Sequence, residues 1–300
     1  MRLPVVFHPD YVTPLRPGHR FPMSKYGFLR QHLLDAGLIE PGGYLSPAEA
    51  SVGLLTLAHA PDYVDKVLGK TLGAKEVRAI GLPLTDTLVR RVRLSSAGTL
   101  LAARLALEHG VACNGAGGSH HAAYEAGSGY CVFNDVAVAA AALISEGAVK
   151  QVLVIDLDVH QGDGTAQIFA DQPAVFTVSL HAAKNFPVRK KPSDLDVPIA
   201  DGADDEIYLK TLAETLEQVQ SAVSPDIIFY NAGVDVHHDD RLGRLSLTDA
   251  GLAARDAYVM AWAHRLGAPI VGVLGGGYGD DPSVIAARHV SLFEQAAKLA

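Results

Sequence analysis

Asp156, Asp158, His160 and Asp163 fall within eight residues in VIDLDVHQGDG (154–164), at the end of an apolar run that begins at Val152. Carboxylates at the end of a buried strand are costly unless something positive sits among them. On an extended strand, Asp156, Asp158 and His160 occupy alternate positions and so share one face. Asp235, closing YNAGVD after another apolar run, adds a carboxylate from a neighbouring strand end. Asp158, His160 and Asp235 then make an N/O donor set. Three such ligands with room for water describe a catalytic zinc site rather than a structural one. The expected positive group is a metal ion.

Other reactive residues also follow apolar runs. His120 and His121 come after Val111–Asn114 and GAGGS; Ser179, Leu180 and His181 come after Ala174–Val178; Tyr278 follows Pro269–Leu274 in GGGYGD. In a parallel sheet all carboxyl ends lie on one edge, where ligands bind. Residues from 120 to 278 are therefore expected to converge. DVHHDDR (235–241) offers a second cluster in His237, His238, Asp239 and Asp240. It reads as a polar loop, from which only Asp235 is retained. His8, His19, His32, His59, His109 and His264 read as packing or surface histidines.

The elements that must position these residues are short. Leu3–Phe7, Val111–Asn114, Gln151–Val159, Ala174–Leu180, Asp226–Asn231 and Pro269–Leu274 are mostly continuous apolar runs, as expected of strands buried on both faces. Helices are predicted over 95–109 after a serine cap, from Asn134 through an alanine-rich segment, over 205–222, over 249–266 capped by Thr248, and over 283–298. Stretches 8–24, 70–93, 182–204 and 236–247 read as loops. The alternation predicts one α/β domain over residues 1–300, an open sheet wrapped by helices.

Composition narrows the function class. The 300 residues are 49% hydrophobic with net charge −8, and the longest basic run is Arg189-Lys190-Lys191, so nucleic acid is not an expected partner. No apolar run is long enough to span a bilayer, and the amino terminus has no leader signature. Two cysteines, Cys113 and Cys131, imply no disulfide framework; the expectation is a reduced, cytoplasmic protein.

GGSHHA, GSGYCVFND, VIDLDVHQGDG, VSLH, YNAGVD and LGGGY, in this order over about residues 95–280, resemble the zinc-dependent histone deacetylase family. Gln161, in place of a second histidine, and YNAGVDVHHDDRLGRLSLTDAGLAARD look most like its class IV branch and bacterial relatives. The resemblance implies an arginase/deacetylase fold with an open parallel eight-stranded sheet between helices. It implies one Zn2+ on Asp158, His160 and Asp235. His120, oriented by Asp156, and His121, oriented by Asp163, would flank the attacking water, and Tyr278 would donate to the substrate carbonyl. Gly129, Tyr130 and Phe186 would wall a substrate channel. Asp156, Asp158, His160, Ser179 and Leu180 would hold a structural K+ or Na+. The rim aspartate of class I members has no clear counterpart in 70–93, although Asp86 lies there.

The activity so implied is hydrolysis of N-acyl-lysine, acetylated or bearing a longer chain, in a protein or peptide. A small acylated amine such as an acetylpolyamine is the alternative substrate; it would call for acids at the channel mouth, which the Asp201–Glu206 loop would supply. A ureohydrolase would need a DxHxD run in place of DxDxH. A non-catalytic acyl-lysine-binding protein would be expected to lack a ligand, a histidine or the tyrosine, all of which are present.

Overall fold

The structure is a computed structural model that describes residues 2–300. Seven strands form one sheet: β1 (Val5–Val6), β2 (Val111–Asn114), β3 (Val152–Asp156), β4 (Val175–Ala182), β5 (Leu195–Ile199), β6 (Ile227–Gly233) and β7 (Ile270–Gly275). Their order is β1-β2-β7-β6-β3-β4-β5 and every neighbouring pair is parallel. β3 lies between β6 and β4 and is buried along its whole length, which explains its unbroken apolar sequence.

The expected count of eight is corrected to seven. Beyond β1 a single residue, Leu45, pairs with Val6. Gly42 and Gly43 before it and Pro47 after it allow no longer ladder. β5 was hidden for the opposite reason: LDVPI is an edge strand, half-exposed and carrying Asp and Pro, so it offers no apolar run.

Ten helices flank the sheet among the described residues. They are α1 (Lys25–Asp35), α2 (Val52–Leu55), α3 (Pro61–Leu68), α4 (Ala74–Ile80), α5 (Asp86–His109), α6 (Asp135–Ser145), α7 (Asp163–Phe169), α8 (Asp205–Ala222), α9 (Asp249–Leu266) and α10 (Pro282–Ala297). The serine start predicted at 95 is wrong. Thr85 caps α5, its hydroxyl accepting from the Leu88 amide at 3.2 Å, and Ser96 lies inside the helix, donating to the Val92 carbonyl at 2.9 Å. The 70–93 stretch is therefore mostly helical. Asn134 caps α6 as expected, and the alanine-rich helix is buried nearly all round, packed against α5. No helix is long and apolar enough to cross a membrane among the described residues.

Two buried polar groups tie these layers to the edge where the strands end. The Arg255 guanidinium on α9 donates to Asp256 from Nε at 3.0 Å and Nη2 at 2.9 Å, and also to the Gly233 carbonyl at the end of β6. The Tyr230 hydroxyl donates to the same Asp256 oxygen at 2.6 Å. His59, after α2, accepts from the Asn134 amide at 2.9 Å and faces the Ala123 carbonyl at 3.0 Å, closing the 123–134 loop.

Removing one partner of a buried ion pair strands the other, so Arg255→Met is expected to lower the unfolding free energy by about 3–5 kcal/mol, read by urea denaturation. Burial holds His59 down to about 4, below the unfolded value near 6.5. The unfolded chain then binds the proton first, so stability present above pH 6.5 is lost as pH falls through 4. The loss is up to about 3 kcal/mol. His59→Gln is expected to flatten that part of the stability-against-pH curve.

Candidate active site

All strand carboxyl ends open onto one edge, and the residues singled out from sequence meet there. Asp156 is the last residue of β3; Asp158 and His160 lie in the loop that follows rather than on the strand. The shared face inferred from alternation is therefore incorrect beyond Asp156. Backbone turns do the work instead: the Asp158 amide donates to Asp156 Oδ1 at 3.1 Å, and the His160 amide donates to Asp158 Oδ1 at 2.9 Å. Asp156 turns away to His120, whose Nδ1 lies 2.6 Å from Oδ2, while Asn231 Nδ2 donates to Oδ1 at 2.9 Å.

Asp158, His160 and Asp235 are all buried, each presenting a ligand atom within 4.8 Å of the others'. His160 Nδ1 lies 2.9 Å from Asp158 Oδ1 and 3.2 Å from Asp235 Oδ2. Burial disfavours a proton on His160, yet the two carboxylates outweigh it and draw the imidazole up to about 10. The cradle thus pulls strongly on any cation. Its walls are glycine: a Cβ at Gly233 would stand 2.9 Å from Asp235 Oδ1, one at Gly275 2.9 Å from Asp158 Oδ2, and one at Gly276 would overlap the Asp235 carboxylate. Two carboxylates and one imidazole, enclosed but open on one side, fit a divalent ion of the zinc type.

Two His–carboxylate pairs stand beside the triad. His121 Nδ1 lies 2.6 Å from Asp163 Oδ1, and the rings of His120 and His121 are 4.0 Å apart. A carboxylate only accepts, so each Nδ1 carries hydrogen and each Nε2 is left to the chamber. Burial works against protonating His120, but Asp156 and Asp158 prevail and push it up to about 9. Burial and the positive charges of His120, His160 and Lys190 hold His121 well below its ordinary range. Burial raises Asp163, the carboxylate behind His121, to about 6.

Tyr278 is buried, its ring 6.3 Å from that of His160. Burial and the nearby Asp158 and Asp235 push its phenol well above the ordinary range, so it remains an O–H donor. Gly129, Tyr130, Phe186 and Tyr278 line a cleft of about 520 Å³ leading to His121 and His160. A Cβ at Gly129, where φ is +52°, would stand 2.5 Å from His121 Cδ2. The Phe186 ring packs edge-on to His121 at 4.8 Å and is 40% exposed, placing it at the cleft's mouth. Gln161 holds the Phe186 loop: Nε2 donates to the Lys191 carbonyl at 2.6 Å and Asp196 Oδ1 at 2.7 Å, and Oε1 accepts from the Lys191 amide. Of the group expected to hold a monovalent cation, Asp156 and Ser179 are direct neighbours on β3 and β4, with Leu180 next along; the Ser179 hydroxyl lies 3.0 Å from His181 Nδ1.

Several supporting residues escaped sequence reading. Asp135 is fully buried and accepts from the Thr99 hydroxyl at 2.6 Å and from the Ser119 and Gly118 amides at 2.8 and 3.2 Å, fixing the loop that delivers His120. Asp240, dismissed with its polar loop, accepts from the Tyr278 amide at 2.6 Å and from the Leu242 and Gly243 amides. His237, His238 and Asp239 do cluster, but Asp239 is paired with Arg288 at 3.0 Å and the His237 Nδ1 accepts from the Asp239 amide. Lys25 on α1 is buried and donates to the Gly276 carbonyl, bracing the Tyr278 loop from a point far upstream. Asp135 and Asp240 lay inside sequence motifs that could have flagged them; Lys25 did not.

Comparisons with known proteins identify the family. A histone deacetylase domain matches residues 19–292. The chain is 47% identical over 298 residues to an uncharacterized protein of Picosynechococcus sp., covering 99% of both. It is 30% identical over 269 residues to histone deacetylase 2 of Arabidopsis thaliana, covering 87% of this chain and 70% of that one. A solved HDAC homolog from Aquifex aeolicus shares the fold, with TM-score 0.82 and 23% identity over 99% of this chain and 84% of that one. With that domain spanning most of the sequence and its motifs gathered at one sheet edge, the chain belongs to the histone deacetylase family.

Proposed function

We propose that the chain hydrolyses the side-chain amide of N-acyl-lysine, with acetyl as the preferred acyl group and Zn2+ on Asp158, His160 and Asp235. The observation that carries this reading is the joint placement of that triad, two carboxylate-backed histidines and a protonated tyrosine at the base of one narrow cleft.

When bound, the ion supplies Lewis acidity toward the amide carbonyl and lowers the pKa of an attacking water toward roughly 7. The chain's own residues do the rest. Tyr130 and Phe186 flank the lysine stem, and Gly129 leaves it room beside His121. One imidazole Nε2 of the His120–His121 pair takes the water's proton, and one returns a proton to the departing lysine amine. The carboxylate behind each ring fixes the tautomer that makes this possible. Tyr278 donates its hydroxyl hydrogen to the oxyanion as the carbonyl becomes tetrahedral. Behind these groups lies a narrow pocket of about 30 Å³, walled in part by His120, Lys25, Arg91 and Tyr278. A pocket this small holds only a few small groups, which supports acetyl over a fatty acyl chain.

The reading is tested on lysine peptides carrying acetyl to myristoyl groups. Acetyl is expected to give the highest kcat/KM, and Tyr278→Phe is expected to lower kcat by about 10²–10³ with a much smaller change in KM. Equal turnover by Tyr278→Phe would remove the hydroxyl from the reaction. Metal analysis of the purified protein is expected to show one divalent ion per chain. Dialysis against a chelator should abolish hydrolysis, Zn2+ should restore it, and Asp235→Ala should neither retain nor regain the ion.

A further inference from the structure

The Asp201–Glu206 loop, expected to make the channel mouth acidic, is committed elsewhere. Asp201 pairs with Arg244 at 3.1 Å, Asp204 caps α8, and Asp205 accepts from the Thr248 amide and hydroxyl at 2.9 and 2.6 Å. None of these residues lines the cleft.

The mouth is basic instead. Two surface clefts, of about 520 and 570 Å³, meet at Leu242 and Tyr278. Their charged lining is Arg78 from α4, Arg20 from the amino-terminal loop, and Arg241, against a single acid, Asp280. Asp280 is paired with Arg241. Arg20 and Arg78 are exposed and have no carboxylate within ion-pair distance among the described residues. The segment 181–191, of which Asn185 and Phe186 line the cleft, is itself of the same sign: it contains Lys184, Arg189, Lys190 and Lys191, set back from the lining, and no carboxylate. Lys190 Nζ is anchored on the Asn185 and Pro187 carbonyls at 2.6 and 2.7 Å, and its charge reaches His121. On a chain of net charge −8, positive charge is gathered where substrate enters.

We propose that this rim is a specificity surface, selecting acyl-lysine carried in an acidic peptide and disfavouring cationic amines such as acetylated polyamines. The inference rests on the acyl-lysine hydrolase reading and names its substrate class. Guanidinium groups left without partners are free to pair with carboxylates flanking the modified lysine. Their field also steers an acidic segment toward the cleft and repels an amine whose positive charges cannot avoid the rim.

The test uses three acetyl-lysine peptides of one length, with acidic, neutral and basic flanks and an uncharged fluorophore, on the zinc-loaded enzyme. Both kcat/KM and Kd from anisotropy are measured. The acidic peptide is expected to exceed the basic one by roughly tenfold at low salt in both quantities. The ratio should shrink toward one at about 1 M salt, where the Debye length is about 3 Å. The double variant Arg20→Glu/Arg78→Glu, with its melting temperature as a check on folding, is expected to reverse the order. Equal binding of the three peptides, a preference for the basic one, or an oligonucleotide binding more tightly than the acidic peptide would overturn the proposal. Failure to hydrolyse even the neutral peptide would instead sink the hydrolase reading, while the Kd series still decides the charge preference.

Discussion

Asp135, Asp156, Asp158 and Asp235 are all buried at the edge of the sheet where the strands end, and the rest of the site is organised around the cost of keeping them there. A buried carboxylate persists only when hydrogen bonds or positive charge replace the water it has lost. Each finds a different answer. Asp135 takes two backbone amides and a threonine hydroxyl; Asp156 takes an imidazole, an asparagine amide and a backbone amide. Asp158 and Asp235 share His160 and take the backbone amides of His160 and Val159. The first two are satisfied by the protein alone. The second two face each other across one imidazole, which is the arrangement a divalent cation completes.

The same constraint accounts for the glycines. Close approach of the β6 and β7 ends to Asp158 and Asp235 leaves no space for a Cβ at Gly233, Gly275 or Gly276. The loop that continues from them carries Tyr278 and is held from two sides: Asp240 accepts its amide, and the buried Lys25 ammonium takes the Gly276 carbonyl. An unbranched loop would otherwise be free to swing. Fixing it through backbone groups keeps the phenol hydroxyl unspent, available to a substrate oxygen rather than to the protein.

Sequence reading picked out residues that the fold brings together at one sheet edge because apolar runs and their sudden polar endings are visible in one dimension. It recovered the interior strands for the same reason, and it missed β5 because an edge strand with Asp and Pro carries no such contrast. It misjudged how Asp158 and His160 are aimed: the period of two stops at Asp156, and the turn that replaces it depends on a carboxylate–amide pairing no pattern announces. Asp240 was lost inside HHDDR because its role depends on Tyr278, which joins it only in three dimensions. Lys25 and Arg255 share that difficulty: a buried cation is defined by the carbonyls it meets, here Gly276 and Gly233, which lie elsewhere in the chain.

Charge is therefore sorted by depth. Carboxylates gather at the base of the cleft, where they orient imidazoles and stand beside the buried Lys25 and Arg91, while the guanidinium groups of Arg20, Arg78 and Arg241 line its mouth. The two layers do not cancel, because the base is enclosed and the rim is bathed in solvent that screens it within about 8–10 Å. On the proposed reading a neutral amide would pass between them, while a free ammonium would be repelled at the entrance before the acidic base could attract it. For the acyl-lysine substrate proposed above, acylation removes the ammonium charge that the rim would repel, so the same arrangement of charge would discriminate the modified residue from the unmodified one.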